Sequence, residues 1–278
     1  MLRQTRSMLR LNTAPKTDNK TDNSYAAYFN GIDSYIHIPI DVFDRMGAAQ
    51  IYCYELLGYW EGGYDRPGNT DWIAGFNYTS KGAIYEERPE AITGCMSARI
   101  ITGGGAAGKM FIDVYNNAGK YVSTVTTNSA PVNEWFRLIG RVSPVIHTIW
   151  VSKFSRSGDR IISSSSIINN NANAGGSFHY TDSFRIGGIK HEEIQESGNF
   201  KGYIKSFKMY TKLGTNEYLS DGVDFDTFGK YQKYPARTYI DLDFSDGRMV
   251  NRSPIFNNHL DKIILHNVSY RKHPEIKL

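Results

Sequence analysis

The chain is poor in the residues that would make it a stapled, a spanning or a helical protein. Of 278 residues only two are cysteines, Cys53 and Cys95. A secreted disulfide scaffold carries more, so two buried thiols are the default reading and a single bridge the alternative. No apolar run is long enough to cross a bilayer. Residues 1–23 lack the apolar core of a secretory signal. No long segment places apolar residues at helical spacing, so helices are not expected. The charge balance, 32 basic against 28 acidic residues, leaves a net +4 spread along the chain. That gives no reason to expect nucleic acid, whose binding needs a clustered basic face.

What is abundant is aromatic and glycine: 19 Tyr, 14 Phe and 26 Gly, against nine Pro. Tyr, Phe, Ile, Val and Thr suit pleated, half-buried surfaces, and Gly supplies the turns. Strands are predicted near 25–29, 34–40, 51–57, 72–76, 98–102, 110–115, 121–125, 134–142 and 147–154. Many short strands at this spacing predict a sandwich. Phe184-Arg185-Ile186-Gly187-Gly188 and Phe200 to Tyr210 form F-x-I-G-G … F-x-G-x-I-x-x-F-x-x-Y, whose glycines let the backbone bend or approach a neighbour. Ser163–Ser166 and Asn169–Asn173 are low in complexity and read as a long surface loop.

Several stretches resemble concanavalin A-like, laminin-G-like jelly rolls. The 184–188 and 200–210 pair resembles their closing strands. Tyr28-Phe29-Asn30-Gly31-Ile32-Asp33-Ser34-Tyr35-Ile36-His37-Ile38-Pro39 is similar to their opening hairpin, and Asn133 to Leu138 to their central strand. The tail, Tyr239 to Gly247 with Val250 to Pro254 and Asn257-Asn258-His259, resembles a second signature of these domains. The resemblance implies an all-β, two-sheet antiparallel jelly-roll β-sandwich, concanavalin A-like, with an extended N-terminal arm. The expected organisation is an arm over 1–24 and one sandwich over 25–278, with 239–268 contributing terminal strands.

The arm carries Arg3, Arg6, Arg10, Lys16 and Lys20 and no acid before Asp18. Its composition is similar to a mitochondrial transit peptide. The reading preferred is a segment that docks on a neighbouring subunit of an assembly.

Candidate chemistry is sparse. Gly103 to Lys109 matches G-x-x-x-x-G-K, yet Met110 stands where a Ser or Thr would bind magnesium, and the next residues alternate like a strand. A glycine-rich hairpin loop is expected. Glucanases of the resembling fold aim carboxylates from one strand, as E-x-D-x-E; no such string occurs. Glu86-Glu87 and Glu192-Glu193 are adjacent and would face opposite ways. Asp241 and Asp243 share a face and are the best acidic pair. The seven histidines show no zinc spacing. The expectation is a protein that is not an enzyme and needs no cofactor. Calcium is the one ion the resemblance allows, with Asp113, Asn116, Asp241 and Asp243 as weak oxygen donors.

Sugar binding needs exposed aromatics that stack on pyranose rings, beside hydrogen-bonding groups. Trp60, Tyr64 and Asp65 in a Gly-rich loop, with Trp72 behind, are the glycan-binding candidates; burial in the core is the competing reading. The expected function is a structural or attachment component of a bacteriophage virion, in capsid or tail, made in the host cytoplasm. Its expected partners are other subunits, through the arm, and cell-surface glycans. Nucleic acid and membrane insertion are not expected. A free carbohydrate-binding lectin is the alternative, and a laminarinase-type glycoside hydrolase the third.

Overall fold

A computed structural model of the chain describes residues 25–39, 52–62, 70–76, 96–102, 104–115, 121–142, 146–154, 161–170, 184–188, 197–211, 237–253 and 262–274. These residues form strands, joined by turns and one 3₁₀ turn over Gly104–Ala106, with no α-helix among them. In chain order the strands are β1 (Tyr25–Asn30), β2 (Tyr35–Ile38), β3 (Tyr52–Trp60), β4 (Thr70–Phe76), β5 (Met96–Ile101), β6 (Lys109–Tyr115), β7 (Tyr121–Ser129), β8 (Trp135–Val142) and β9 (Ile146–Phe154). They continue as β10 (Ile161–Asn170), β11 (Phe184–Ile186), β12 (Ser197–Asn199), β13 (Lys201–Thr211), β14 (Arg237–Asp243), β15 (Val250–Asn251), β16 (Ile264–His266) and β17 (Ser269–Lys272).

Two sheets result. The first runs β10-β9-β8-β3-β13-β1-β17, with β14 also on β13 and β15 on β14. The second runs β16-β2-β11-β4-β5-β6-β7, with β12 also on β4. Every strand pair is antiparallel except β12 with β4. Period-2 alternation turns Phe29, Leu56, Trp60, Phe136, Ile204 and Phe207 of the first sheet toward Ile36, Ile38, Ile73, Ile100, Phe184 and Ile186 of the second. Together they make one buried cluster. The architecture is the all-β sandwich expected.

The strand β13 shows how its motif builds this layer. Gly202 has φ +143°, and a Cβ there would lie 2.0 Å from the Tyr59 carbonyl oxygen. Gly187 has φ +87°, and its Cβ would lie 2.1 Å from the Phe29 ring. Both positions require glycine. The I-x-x-F spacing carries a β-bulge: pairing with β3 shifts register between Ile204 and Ser206, and Lys205 is the extra residue. The bulge lets both Ile204 and Phe207 face the core. On its other edge β13 pairs with β1 up to Ile204 and with β14 from Ser206. Phe244 N–H donates to the Lys205 carbonyl at the junction, 3.0 Å.

Two expectations are corrected. The first concerns Asn30-Gly31, which makes the expected tight turn with Gly31 at φ +78°. Asn30 Oδ1 accepts the N–H groups of Ile32, Asp33 and Ser34 at 2.8, 3.1 and 3.2 Å. The strands it joins are not a hairpin, however: β1 lies in the first sheet and β2 in the second. The turn is a crossing between layers. It is tied to a second crossing, from β16 to β17, through Asn267 Nδ2 donating to Asp33 Oδ2 at 2.6 Å and Ser34 Oγ donating to the Asn267 carbonyl at 2.7 Å.

The second correction is β10. Ser163–Ser166 and Asn169-Asn170 form an edge strand in register with β9, not a loop; residues 171–173 lie outside the described residues. Ladder bonds come from the backbone, and an edge strand tolerates polar side chains. Gly104–Ala106 and Gly108 do form the expected loop between paired β5 and β6, with Gly108 N–H donating to the Ile101 carbonyl at 2.6 Å.

Candidate functional site

The candidate site is a row of aromatic rings on the outer face of the first sheet. Register places Tyr28 of β1 opposite Tyr203 of β13, Tyr203 opposite Tyr59 of β3, and Tyr59 opposite Trp135 of β8. Their strand neighbours Phe29, Ile204, Trp60 and Phe136 point into the core, so the row points away from it. Ring centres are 4.9, 5.8 and 5.6 Å apart in sequence along the row, with interplanar angles of 60°, 83° and 62°. The spacing follows from strands about 4.8 Å apart. The tilted, edge-to-face packing suits the ring quadrupoles and adds about 0.5–1.5 kcal/mol per pair beyond burial.

The end of the chain frames this row. In β17, Arg271 lies opposite Ala26 and sets its guanidinium carbon 3.7 Å from the Tyr28 ring centre. Beyond β17 the chain crosses to Trp135, whose indole N–H donates to the Pro274 carbonyl at 3.1 Å. His273 meets the Trp135 ring edge-on at 5.0 Å. His273 Nε2 lies 3.1 Å from Lys205 Nζ, and its Nδ1 lies 2.7 Å from the Pro274 carbonyl. An ammonium only donates, so Nε2 accepts and the ring proton sits on Nδ1. Trp135 is thereby only 4% exposed, while the three tyrosines stay half-buried.

Glu61 completes the site. Its backbone N–H donates to the Lys201 carbonyl at 3.0 Å, and its Oε2 accepts from the Tyr28 hydroxyl at 3.3 Å. Burial, and then the Glu61 charge, push the Tyr28, Tyr59 and Tyr203 phenols up. All three stay protonated donors at neutral pH. The row thus offers half-exposed ring surface, phenol donors and one carboxylate acceptor.

Farther along the same face, the same strands carry charges that satisfy each other. Glu55 of β3 lies opposite Lys208 of β13, which lies opposite Asp241 of β14. Arg137 donates to Glu55 Oε1 through Nε and Nη2, both at 2.7 Å. Lys208 Nζ lies 3.9 Å from Asp241, and Arg252 Nη2 lies 2.5 Å from Asp243. Asp243 also accepts the Ser245 N–H at 2.8 Å. Burial pushes the Asp241 carboxyl up despite its cations.

These positions revise the sequence-level candidates. Trp60 is 0% exposed, and its indole N–H donates to the buried Asp71 Oδ2 at 2.8 Å. A ring with no open face cannot stack on a sugar, so Trp60 is a core residue. Strand parity turns its neighbour Tyr59 to the outer face instead. Trp72 is 8% exposed and lies under the Arg99 guanidinium, so it too is interior. Asp241 and Asp243 share a face as expected, with Lys208 and Arg252 as their cationic neighbours. Among the described residues no three acids, histidines or cysteines gather as a metal site. For Asp113 only the backbone, in β6, is described. Tyr64, Asp65, Asn116, Cys95 and the arm residues Arg3, Arg6, Arg10, Lys16 and Lys20 lie outside the described residues, as does the Cys53 side chain.

The two-sheet antiparallel sandwich is a jelly-roll fold. Among solved structures, a candidate carbohydrate-binding protein from Bacteroides ovatus ATCC 8483 is similar over 91% of this chain and 61% of its own, with 14% identity and a TM-score of 0.51. The LG1-3 region of the laminin alpha2 chain matches over 71% of this chain and 34% of its own, at 10% identity and TM-score 0.46. The enzymatically active domain of bacteriophage CBA120 tailspike protein 2 matches over 72% and 30%, at 10% identity and TM-score 0.41. At such identities the likeness gives the fold alone. No protein-family model matches the chain, and no curated protein matches it.

Proposed function

We propose that this protein is a glycan-binding module with no catalytic activity of its own, serving as an attachment component of a larger assembly. The observation that carries the reading is the aromatic row: three half-exposed tyrosine rings in line, flanked by Glu61 and Arg271. Aromatic surface takes the apolar faces of sugar rings. Phenols and a carboxylate take their hydroxyls, and a few placed polar groups on apolar surface are what a ligand site needs. The carbohydrate-binding description of the Bacteroides protein agrees with this use of the fold. Against hydrolysis stands the state of the best acidic pair. A glycosidase needs two carboxyls free to flank the scissile bond, and Asp241 and Asp243 are held by cations.

The assembly we propose is a bacteriophage virion, and its support is the basic composition of residues 1–24. A free lectin shares the same site. The full chain on a glycan array tests the shared part. Tyr59→Ala is expected to lower the retained signal at least about tenfold, the order of one lost aromatic anchor. An unchanged signal with Tyr59→Ala sinks the row as the binding surface. Release of β-glucan fragments by the wild-type protein sinks the non-catalytic reading. Fixed stoichiometry in purified particles separates the virion component from the free lectin.

A further inference from the structure

We propose that Arg271 sets the class of sugar the row accepts: one that carries a carboxylate, gripped by the guanidinium while the sugar ring lies over Tyr203 and Tyr59. This rests on the glycan reading above and goes beyond it by naming the ligand's charge.

The row has two unlike flanks. Register puts Glu61 and Lys201 beyond the row on the Asn30 side, and Arg271 and Lys205 on the Ala26 side. Glu61 and Arg271 both touch Tyr28 and form no ion pair with each other. Arg271 is exposed, and among the described residues no carboxylate pairs with it. Its Nε donates to Ser269 Oγ at 3.0 Å, which helps hold the group beside the tyrosine ring. The terminal N–H groups remain for a ligand. A guanidinium held over an aromatic ring is weakly hydrated and presents a fork that fits the two oxygens of a carboxylate. Lys205 and His273 continue the same flank, with the Lys205 ammonium half-buried. A ligand with its acid on this side and hydroxyls on the Glu61 side meets matching charge at both ends. A neutral sugar leaves the Arg271 fork unused.

The test is a panel of oligosaccharides immobilised in pairs, each hexuronate beside the same sugar with its carboxyl reduced to an alcohol. Wild-type protein is expected to hold the acidic member of at least one pair about tenfold more tightly, the scale of one charge-assisted contact, and less so as salt rises. Arg271→Gln is expected to bring that pair to parity, with the acidic member losing the more. Arg271→Lys, which keeps the charge and loses the fork, is expected to fall between. Thermal unfolding of each variant checks that the exposed substitution leaves the fold intact. Equal binding of both members by wild type overturns the proposal. So does an equal loss of both with Arg271→Gln. A protein that retains no glycan of either kind removes the glycan reading itself, and this proposal with it.

Discussion

The outer face of the first sheet holds two regions built on the same strands, β8, β3 and β13, on either side of the Lys205 bulge. One is the aromatic row of Tyr28, Tyr203, Tyr59 and Trp135; the other is the charge ladder of Arg137, Glu55, Lys208 and Asp241. Both run across the strands, and both are half-buried. They differ in what is left over. In the ladder each charge meets an opposite one, as Arg137 meets Glu55 at 2.7 Å and Arg252 meets Asp243 at 2.5 Å. In the row, the rings meet edge to face and Tyr28 donates to Glu61, while the Tyr59 and Tyr203 side chains stay half-exposed and Arg271 exposed. A face whose partners are already its own has little to offer a ligand. That contrast is why we propose binding at the row, although the ladder holds more charged groups.

The largest expected break in this contrast is Tyr203→Ala. Tyr203 has a tyrosine neighbour on each side, Tyr28 at 4.9 Å and Tyr59 at 5.8 Å. Its removal costs two ring pairs and half-buried area, about 2–4 kcal/mol of stability in a denaturant melt. Glycan retention should go with it. Lys208→Ala, five residues along the same strand, should stay within about 1 kcal/mol and keep binding. Equal losses at the two positions would mean that the row is no more than another stretch of sheet packing.

How much of this is legible in the chain follows from how far each signal reaches. The I-x-x-F spacing of Ile204 and Phe207 announces a break in alternation, and Gly187 and Gly202 stand where side chains cannot. Those are local facts, and local patterns carry the sandwich. The row is assembled from Tyr28, Tyr59, Trp135 and Tyr203, whose alignment depends on register across four strands far apart in sequence. A slip of one residue reverses every side chain. That is what happened around Trp60: Leu56 and Leu57 are both apolar, so alternation does not say which of Tyr59 and Trp60 faces out. A buried partner for the indole, Asp71, settles it in the fold. The Ser- and Asn-rich strand β10 was hidden for the opposite reason, since the ladder that joins it to β9 is made by the backbone.

A smaller effect should come from Glu55→Gln in the ladder. The pair with Arg137 is mostly buried and charge-assisted at two nitrogens, so its loss should cost about 1–2 kcal/mol. Glycan retention should not change. A loss of binding with the fold intact would join the two regions into one site and end the comparison.

The smallest and sharpest test is Asp241→Asn. Burial outweighs the attraction of Lys208 and Arg252, so the folded carboxyl titrates above its unfolded value, which lies near 3.9. The folded state then binds the proton more tightly than the unfolded chain. Whatever Asp241 contributes is fully present below about pH 4 and declines as pH rises through the raised folded value. At neutral pH the charged form sits in the ladder at a cost that Lys208, at 3.9 Å and itself exposed, does not fully offset. Asparagine removes that cost and keeps the shape. The variant should match wild type within about 1 kcal/mol at pH 7, on either side of zero, and should compare less well with it near pH 4. Urea melts at the two pH values measure both. A variant more than that much weaker at pH 7, with a deficit that shrinks in acid, would show that the ionised Asp241 holds β13 to β14. The ladder would then be the stabilising region of this face, with the row freed still further for binding.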